Sequence, residues 1–240
     1  MRRLLVSDLH LGEGFEGAIE QFLEFLATRA ASAGALYILG DLFESWVGDD
    51  DRSDAAERVC GALRGLSGRG VPCFVLHGNR DFLLGPGFEA RSGCRLLPDP
   101  VVADFDGERV LLTHGDALCT DDHAYQELRT MVRNPASQRR FLALPLSVRE
   151  ALAGEVRAGS RAHIARTVPT IMDVNGKAVA AACRVAHVQR MIHGHTHRPA
   201  VHELEVDGAT AQRIVLGAWY EQGSYVSIER GSYELRALPR

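Results

Sequence analysis

The sequence predicts an α/β layered fold, and three observations lead there. Short apolar strand candidates alternate with amphipathic helical stretches. Polar residues of metal-ligand type recur at or just beyond the C-terminal ends of those strands. The last part of the chain breaks into short β-type runs separated by glycine-containing turns. The 240 residues fit one large domain or a domain with a substantial insertion, a size that buries a core without disulfide or metal staples.

RLLVS (3–7) reads as the first strand and runs into Asp8. Between 15 and 31, Ile19, Phe22, Leu23 and Leu26 recur at helical spacing and form one apolar face. ALYILG (35–40) leads into Asp41, and a second helix is expected over 53–67. CFVLHG (73–78) leads into Asn79, VLLTHG (110–115) contains His114, and RMIHGHTH (190–197) carries His193, His195 and His197 at alternating positions. VHELEV, RIVLGAW and YVSIER then predict an antiparallel, β-rich tail. Ligands of open α/β sheets bind beyond the C-terminal strand ends, so Asp8, Asp41, Asn79 and His114 are expected to converge on one rim.

Between His114 and His193 lie 78 residues, far more than a crossover needs. The stretch 121–170 is helical in pattern, and from 124 to 170 eight arginines face three glutamates, a local charge of +5 in a chain of −4. Such an apolar, arginine-rich insertion suits a lid or a contact with an anionic surface. A helical subdomain with a solvated basic face fits the composition as well. The mild overall charge excludes a general nucleic-acid binder. Cys60, Cys73, Cys94, Cys119 and Cys183 are odd in number and lack CxxC spacing, which suits reduced thiols in the cytoplasm. MRRLLVSDLH is too short for a signal peptide, and nothing approaches the ~18 apolar residues of a spanning helix.

The chemistry lies in five strings: DLH (8–10), GDLFE (40–44), GNRD (78–81), HGD (114–116) and HGHTH (193–197). In an extended segment Asp8 and His10 point to one side and could share a cation. Any one string is weak: a lone histidine is more often a core residue, and GNRD could be an ordinary turn. Five in order, each at a strand end, are not coincidence. Carboxylates, an amide and imidazoles without thiolate suit Mn2+, Fe2+ or Zn2+. Seven ligands exceed one tetrahedral ion, so two ions sharing a carboxylate are expected. Such pairs, about 3.5–4 Å apart, clamp phosphate for in-line displacement, and Arg80 would add charge for the phosphoryl oxygens.

This ordered set resembles the calcineurin-like metallophosphoesterase superfamily. The longer strings YILGDLFESWVGDDD, HGNRDFLLG, LLTHGDALCTDD, IMDVN and HGHTHRPAVHEL resemble its branch that acts on UDP-2,3-diacylglucosamine in the lipid A pathway of Gram-negative bacteria. The resemblance implies two packed β-sheets flanked by helices, an αββα sandwich, forming one domain over 1–240 with a helical lid over 121–170. It implies Asp8, His10, Asp41 and His197 around one Mn2+, and Asp41, Asn79, His114 and His195 around a second, with Fe2+ or Zn2+ compatible. His193 is left without a metal. Asp41, Asn79, Arg80 and His195 form the implied catalytic set. Implied substrate contacts are Asn79, Arg80, Asp122, Ser160 and His195, joined on the lid by Tyr125, Arg157, Ile164 and Thr167. Ile164 and Thr167 stand where the family has a polar amide and a lysine, with Arg161, His163 and Arg166 nearby.

The implied reaction is hydrolysis at the α-phosphorus to UMP and 2,3-diacylglucosamine 1-phosphate. The implied setting is the cytoplasmic face of the inner membrane, with the protein held peripherally on the anionic surface as a monomer without an obligate protein partner. A dinuclear phosphodiesterase or phosphatase for another substrate, and a non-catalytic metal-binding scaffold, are the alternatives.

Overall fold

Strands that are apolar on both faces must be covered on both, and this requirement sets the layers. A computed structural model describes residues 1–164, 171–220 and 223–238, with the backbone alone for 161–164. The first half contains β1 (Arg3–Val6), α1 (Glu16–Thr28), β2 (Ala35–Ile38), α2 (Asp54–Gly68), β3 (Cys73–Leu76), α3 (Pro86–Ser92), β4 (Arg95–Leu97), β5 (Val101–Phe105) and β6 (Glu108–Leu112). Then come α4 (His123–Val132), α5 (Pro135–Leu142), α6 (Leu146–Ile164), α7 (Gly176–Ala186), β7 (Arg190–His193), β8 (Ala200–Val206), β9 (Ala209–Val215), β10 (Ser224–Glu229) and β11 (Ser232–Ala237).

Two sheets form, one in the order β11-β10-β1-β2-β3-β4 and the other β5-β6-β7-β9-β8. Successive side chains of a strand face opposite ways, and the core clusters follow that alternation. Leu4 and Val6 of β1 pack with Ile19, Phe22 and Leu26 of α1 and Val59 and Leu63 of α2. Leu5, between them, joins Leu112, Ile192, Ile214 and Val226 in the layer between the sheets. On the far side, Leu111 and Met191 pack against Val179 and Cys183 of α7. The order through the molecule is therefore helix, sheet, sheet, helix. Helix ends are set locally: the Ser53 side chain accepts from Ala56 N–H at the start of α2, and Asn175 caps α7 in the same way.

The single open rim expected from the sequence needs correction. Asp8, Asp41 and Asn79 follow β1, β2 and β3 of the first sheet, whereas His114 follows β6 of the second. The β-rich tail is antiparallel within β8–β9 and β10–β11, but β9 lies parallel to β7 and β10 pairs with β1. The central strands of both sheets, β1, β2 and β3 in one and β7 in the other, are buried on both faces, so hydrophobicity alone does not tell them apart. No described helix is long and apolar enough to cross a membrane. All five cysteines are buried and unbridged.

The helices of the insertion, α4 to α6, sit on this frame with little core of their own: neither α4 nor α5 has a buried residue. Polar anchors hold them instead. Arg149 of α6, only 3% exposed, donates to the Val47 carbonyl at 2.6 Å and pairs with Asp50. On α4, Tyr125 and Arg129 both donate to Asp116, which follows β6. Replacing Arg149→Met should leave the sheets intact and free α6: amide exchange is expected to quicken across 146–160 and stay unchanged in β1, β2 and β7. Unchanged exchange in α6 would contradict its anchoring role.

Candidate metal centre

Five of the residues expected at the site have left-handed backbones, Asp8 (φ 55), His10 (51), Asp41 (51), His195 (66) and His197 (56). For non-glycine residues such conformations cost about 1–3 kcal/mol and persist where surrounding structure imposes them. Two glycines let the segments close up. A Cβ on Gly78 would come within 2.1 Å of Asp41 Oδ1, and one on Gly194 within 2.1 Å of Asp8 Oδ2. The DxH and HxH pairs thus converge through tight turns rather than the strand alternation expected for them.

The imidazoles are oriented by what they donate to. His114 Nδ1 lies 2.9 Å from the Leu39 carbonyl, which can only accept, so the proton is on Nδ1 and the Nε2 lone pair faces inward. That Nε2 lies 2.9 Å from Asn79 Oδ1, which is also 2.9 Å from His195 Nδ1. His10 Nδ1 sits 2.9 Å from the Glu44 carboxylate, turning its Nε2 toward His197 Nε2 at 3.3 Å. Asp41 Oδ2 stands 3.7 Å from His10 Nε2 and 3.7 Å from His114 Nε2. Equidistance from the two sheets' histidines is what a bridging carboxylate requires.

Lone pairs facing one another around buried carboxylates call for positive charge, and the electrostatics agree. Despite the opposing effect of burial, Asp41, Asp8, Asp116 and Asp99 raise His114 to about 9. His10 is raised in the same way by Glu44, Asp41 and Asp8. A cation between these groups supplies the charge that the imidazoles otherwise take up as protons. Asp8, His10 and His197, and separately Asp8, Asp41 and His114, have ligand atoms within 4.8 Å of one another. The donor set fits two divalent ions.

A family model described as calcineurin-like phosphoesterase matches residues 1–199. The chain belongs to that family. It is 50% identical, over 239 residues covering 100% of both chains, to proteins named UDP-2,3-diacylglucosamine hydrolase from Salmonella arizonae and Salmonella typhi. A solved archaeal phosphodiesterase superposes with a TM-score of 0.50 at 14% identity, covering 99% of this chain and 100% of that one, a likeness of fold alone.

Within this family framework, three carboxylates to which sequence reasoning gave no specific role support the centre. Asp81 accepts from the N–H groups of Gly78 (2.8 Å), Asp41 (3.3 Å), Leu42 (2.7 Å) and Phe43 (3.3 Å), fixing the turn that presents Asp41. Glu44 orients His10 and lies 3.8 Å from Arg80. Asp116, fully buried, accepts from Tyr125 and Arg129 at 2.8 Å each. Burial opposes its charge, but His114, His195, Arg129 and Arg133 hold it well below the usual carboxylate range. A hint was present in GDLFE, GNRD and HGD, where each of these residues closes its string. Their partners are too remote in sequence to be read there.

The remaining candidates divide. Arg80 presents a buried Nε without a hydrogen-bond partner among the described residues, and its backbone N–H donates to Asp41 Oδ1 at 2.8 Å. Asp122 caps α4, accepting from Tyr125 N–H at 3.0 Å. Tyr125 spends its hydroxyl on Asp116 and lays its ring against His195 with centroids 5.8 Å apart, so it forms a wall of the centre. Arg157 and Ser160 stand one turn apart on α6, and the charge of Arg157 reaches Glu44. Thr167 and the side chain of Ile164 lie outside the described residues. His193 is buried and turned away from the centre: its Nδ1 donates to the Gly194 carbonyl at 2.8 Å, and burial pushes it down to about 3.

Groups that orient a metal-binding histidine typically contribute about 10–100-fold to metal affinity. Glu44→Ala, which leaves His10 Nδ1–H without its acceptor, should weaken Mn2+ binding by about that factor. Equal Mn2+ affinity in titration calorimetry would remove Glu44 from the site.

Proposed function

We propose that the chain hydrolyses UDP-2,3-diacylglucosamine at the α-phosphorus, a step of lipid A biosynthesis, giving UMP and 2,3-diacylglucosamine 1-phosphate. The observation that carries this reading is the 50% identity over the full length of relatives named for that substrate, insertion included. In this reading Asp8, His10, Asp41 and His197 hold one divalent ion and Asp41, Asn79, His114 and His195 the other. When bound, the pair, Mn2+ or the compatible Fe2+ or Zn2+, supplies the Lewis acidity that activates water and neutralises phosphoryl charge. Arg80 brings its guanidinium to the phosphoryl oxygens, held at the rim by Glu44 and with an Nε free to donate. His195, backed by Tyr125, orients the reacting phosphate.

The lipid half of the substrate finds chemistry on the insertion, which acts as the lid. Val148, Leu152 and Val156 form a stripe along α6 and are 41%, 40% and 51% exposed. Met131, Leu142 and Leu144 add to the exposed apolar surface. Each methylene buried against such a surface is worth about 0.8 kcal/mol. Asp122, Arg157 and Ser160 are assigned in this reading to the headgroup. The exposed Arg139 and Arg140 suit an anionic bilayer surface, from which a diacylated sugar must be drawn.

During hydrolysis the oxygen of water joins the α-phosphorus, the bond to the bridging oxygen breaks, and the lipid phosphate leaves with the electron pair. Turnover in H2(18)O should therefore place the label in UMP. Label in the lipid phosphate would put attack at the other phosphorus, and no turnover with Mn2+ present would refute the substrate. Separately, the protein should sediment with phosphatidylglycerol vesicles at low salt and be released as salt rises. A variant with Val148, Leu152 and Val156 replaced by Ser should sediment less. Indifference to vesicle charge would refute the surface contact.

A further inference from the structure

One cavity adjoins the histidine loop yet takes no part in the metal centre. Its volume is about 190 Å3, the space of roughly six waters and the scale of a single heterocyclic ring. Thr196, Arg198 and Pro199 line it from the loop, Asp173 from the segment ahead of α7, and Arg213 and Val215 from β9. Thr196 stands between His195 and His197, so the cavity lies one residue from two candidate metal ligands.

Its polar inventory is unusual for a structural void. Thr196 Oγ1 is buried with no hydrogen-bond partner among the described residues, a condition native structures satisfy with a ligand or water. Arg213 NH1 donates to His193 Nε2 at 3.2 Å, a neutral acceptor because His193 Nδ1–H is committed to the Gly194 carbonyl. Arg198 NH1 lies 2.6 Å from Asp173 Oδ2. Two guanidinium groups, a hydroxyl and the His202 imidazole thus share the cavity with one carboxylate, with Pro199 and Val215 as apolar walls. The donors and charge make it unsuited to an acyl chain, which has the α6 stripe. A ring with two carbonyl oxygens, one N–H and flat apolar faces matches this set.

We infer that the cavity receives the uracil base of the substrate nucleotide, with Arg198, Arg213 and Thr196 donating to its carbonyl oxygens and the Asp173 carboxylate facing its ring N–H. The inference rests on the proposed substrate, whose base is joined to the reacting phosphorus through a single ribose. Cytosine is disfavoured, since its ring nitrogen would turn a lone pair toward Asp173.

Direct binding tests this without turnover. The Mn2+-loaded full chain is titrated calorimetrically with UMP, CMP and ribose 5-phosphate, which share the phosphate and differ in the base. UMP should bind at least tenfold more tightly than either of the others. Asp173→Asn and Arg213→Gln should remove most of that preference, with ribose 5-phosphate binding held within twofold. Thr196→Val, isosteric and safe for folding, should lower the preference less. Equal binding of UMP and ribose 5-phosphate by the unaltered protein, or variants that weaken all three probes alike, would overturn the assignment. A preference for UMP lost in the variants, in a protein that does not hydrolyse UDP-2,3-diacylglucosamine, would uphold the base site and reject the substrate.

Discussion

The carboxylate of Asp41 carries the junction between the two sheets. One oxygen accepts from the Arg80 backbone N–H at 2.8 Å, and the other stands 3.7 Å from imidazole nitrogens of His10 and His114. His10 follows β1 of the first sheet and His114 follows β6 of the second. Asp41 is only 2% exposed, so its charge cannot be balanced by water and must be met by cations inside the molecule. Much else follows from that constraint. The left-handed backbone at Asp41 is paid for by the Asp81 cradle, the bare Cα of Gly78 permits the approach, and a carbonyl and a carboxylate turn His114 and His10 inward.

Charge also joins the centre to the insertion. Asp116 takes hydrogen bonds from two α4 side chains, while Tyr125, one of them, lies against His195. The insertion is thereby indexed to the loop of His195 through a desolvated carboxylate, and its second anchor is the buried Arg149. Fixing the helices by polar contacts leaves their apolar residues unspent. That explains how a water-facing insertion, which gives the core little beyond the half-buried Phe141, can carry the exposed stripe on α6.

Much of this was legible in the chain, and the exceptions have physical causes. The strands preceding Asp8, Asp41, Asn79 and His114 are visible as apolar runs because each is buried on both faces, and the amphipathic period of α1 marks its boundary within a few residues. Their division between two sheets was not legible, because sheet membership is set by pairing across long sequence distances, as in β1 with β10. The convergence of Asp8 with His10 was anticipated for the wrong reason: both take left-handed turns. The supporting roles of Glu44, Asp81 and Asp116 were not read because a supporting carboxylate is defined by its partners. Asp122 illustrates the converse, since the helix cap observed here is a local role that a motif resemblance does not disclose.

The central claim is that two ions occupy one centre with Asp41 between them. Electron paramagnetic resonance of the protein loaded with Mn2+ addresses it most directly, because ions about 3.5–4 Å apart and sharing a carboxylate are magnetically coupled. At full loading the account requires a multiline signal from a coupled pair, lost in Asp41→Ala. A fully loaded protein showing only the six-line pattern of isolated Mn2+ would contradict it.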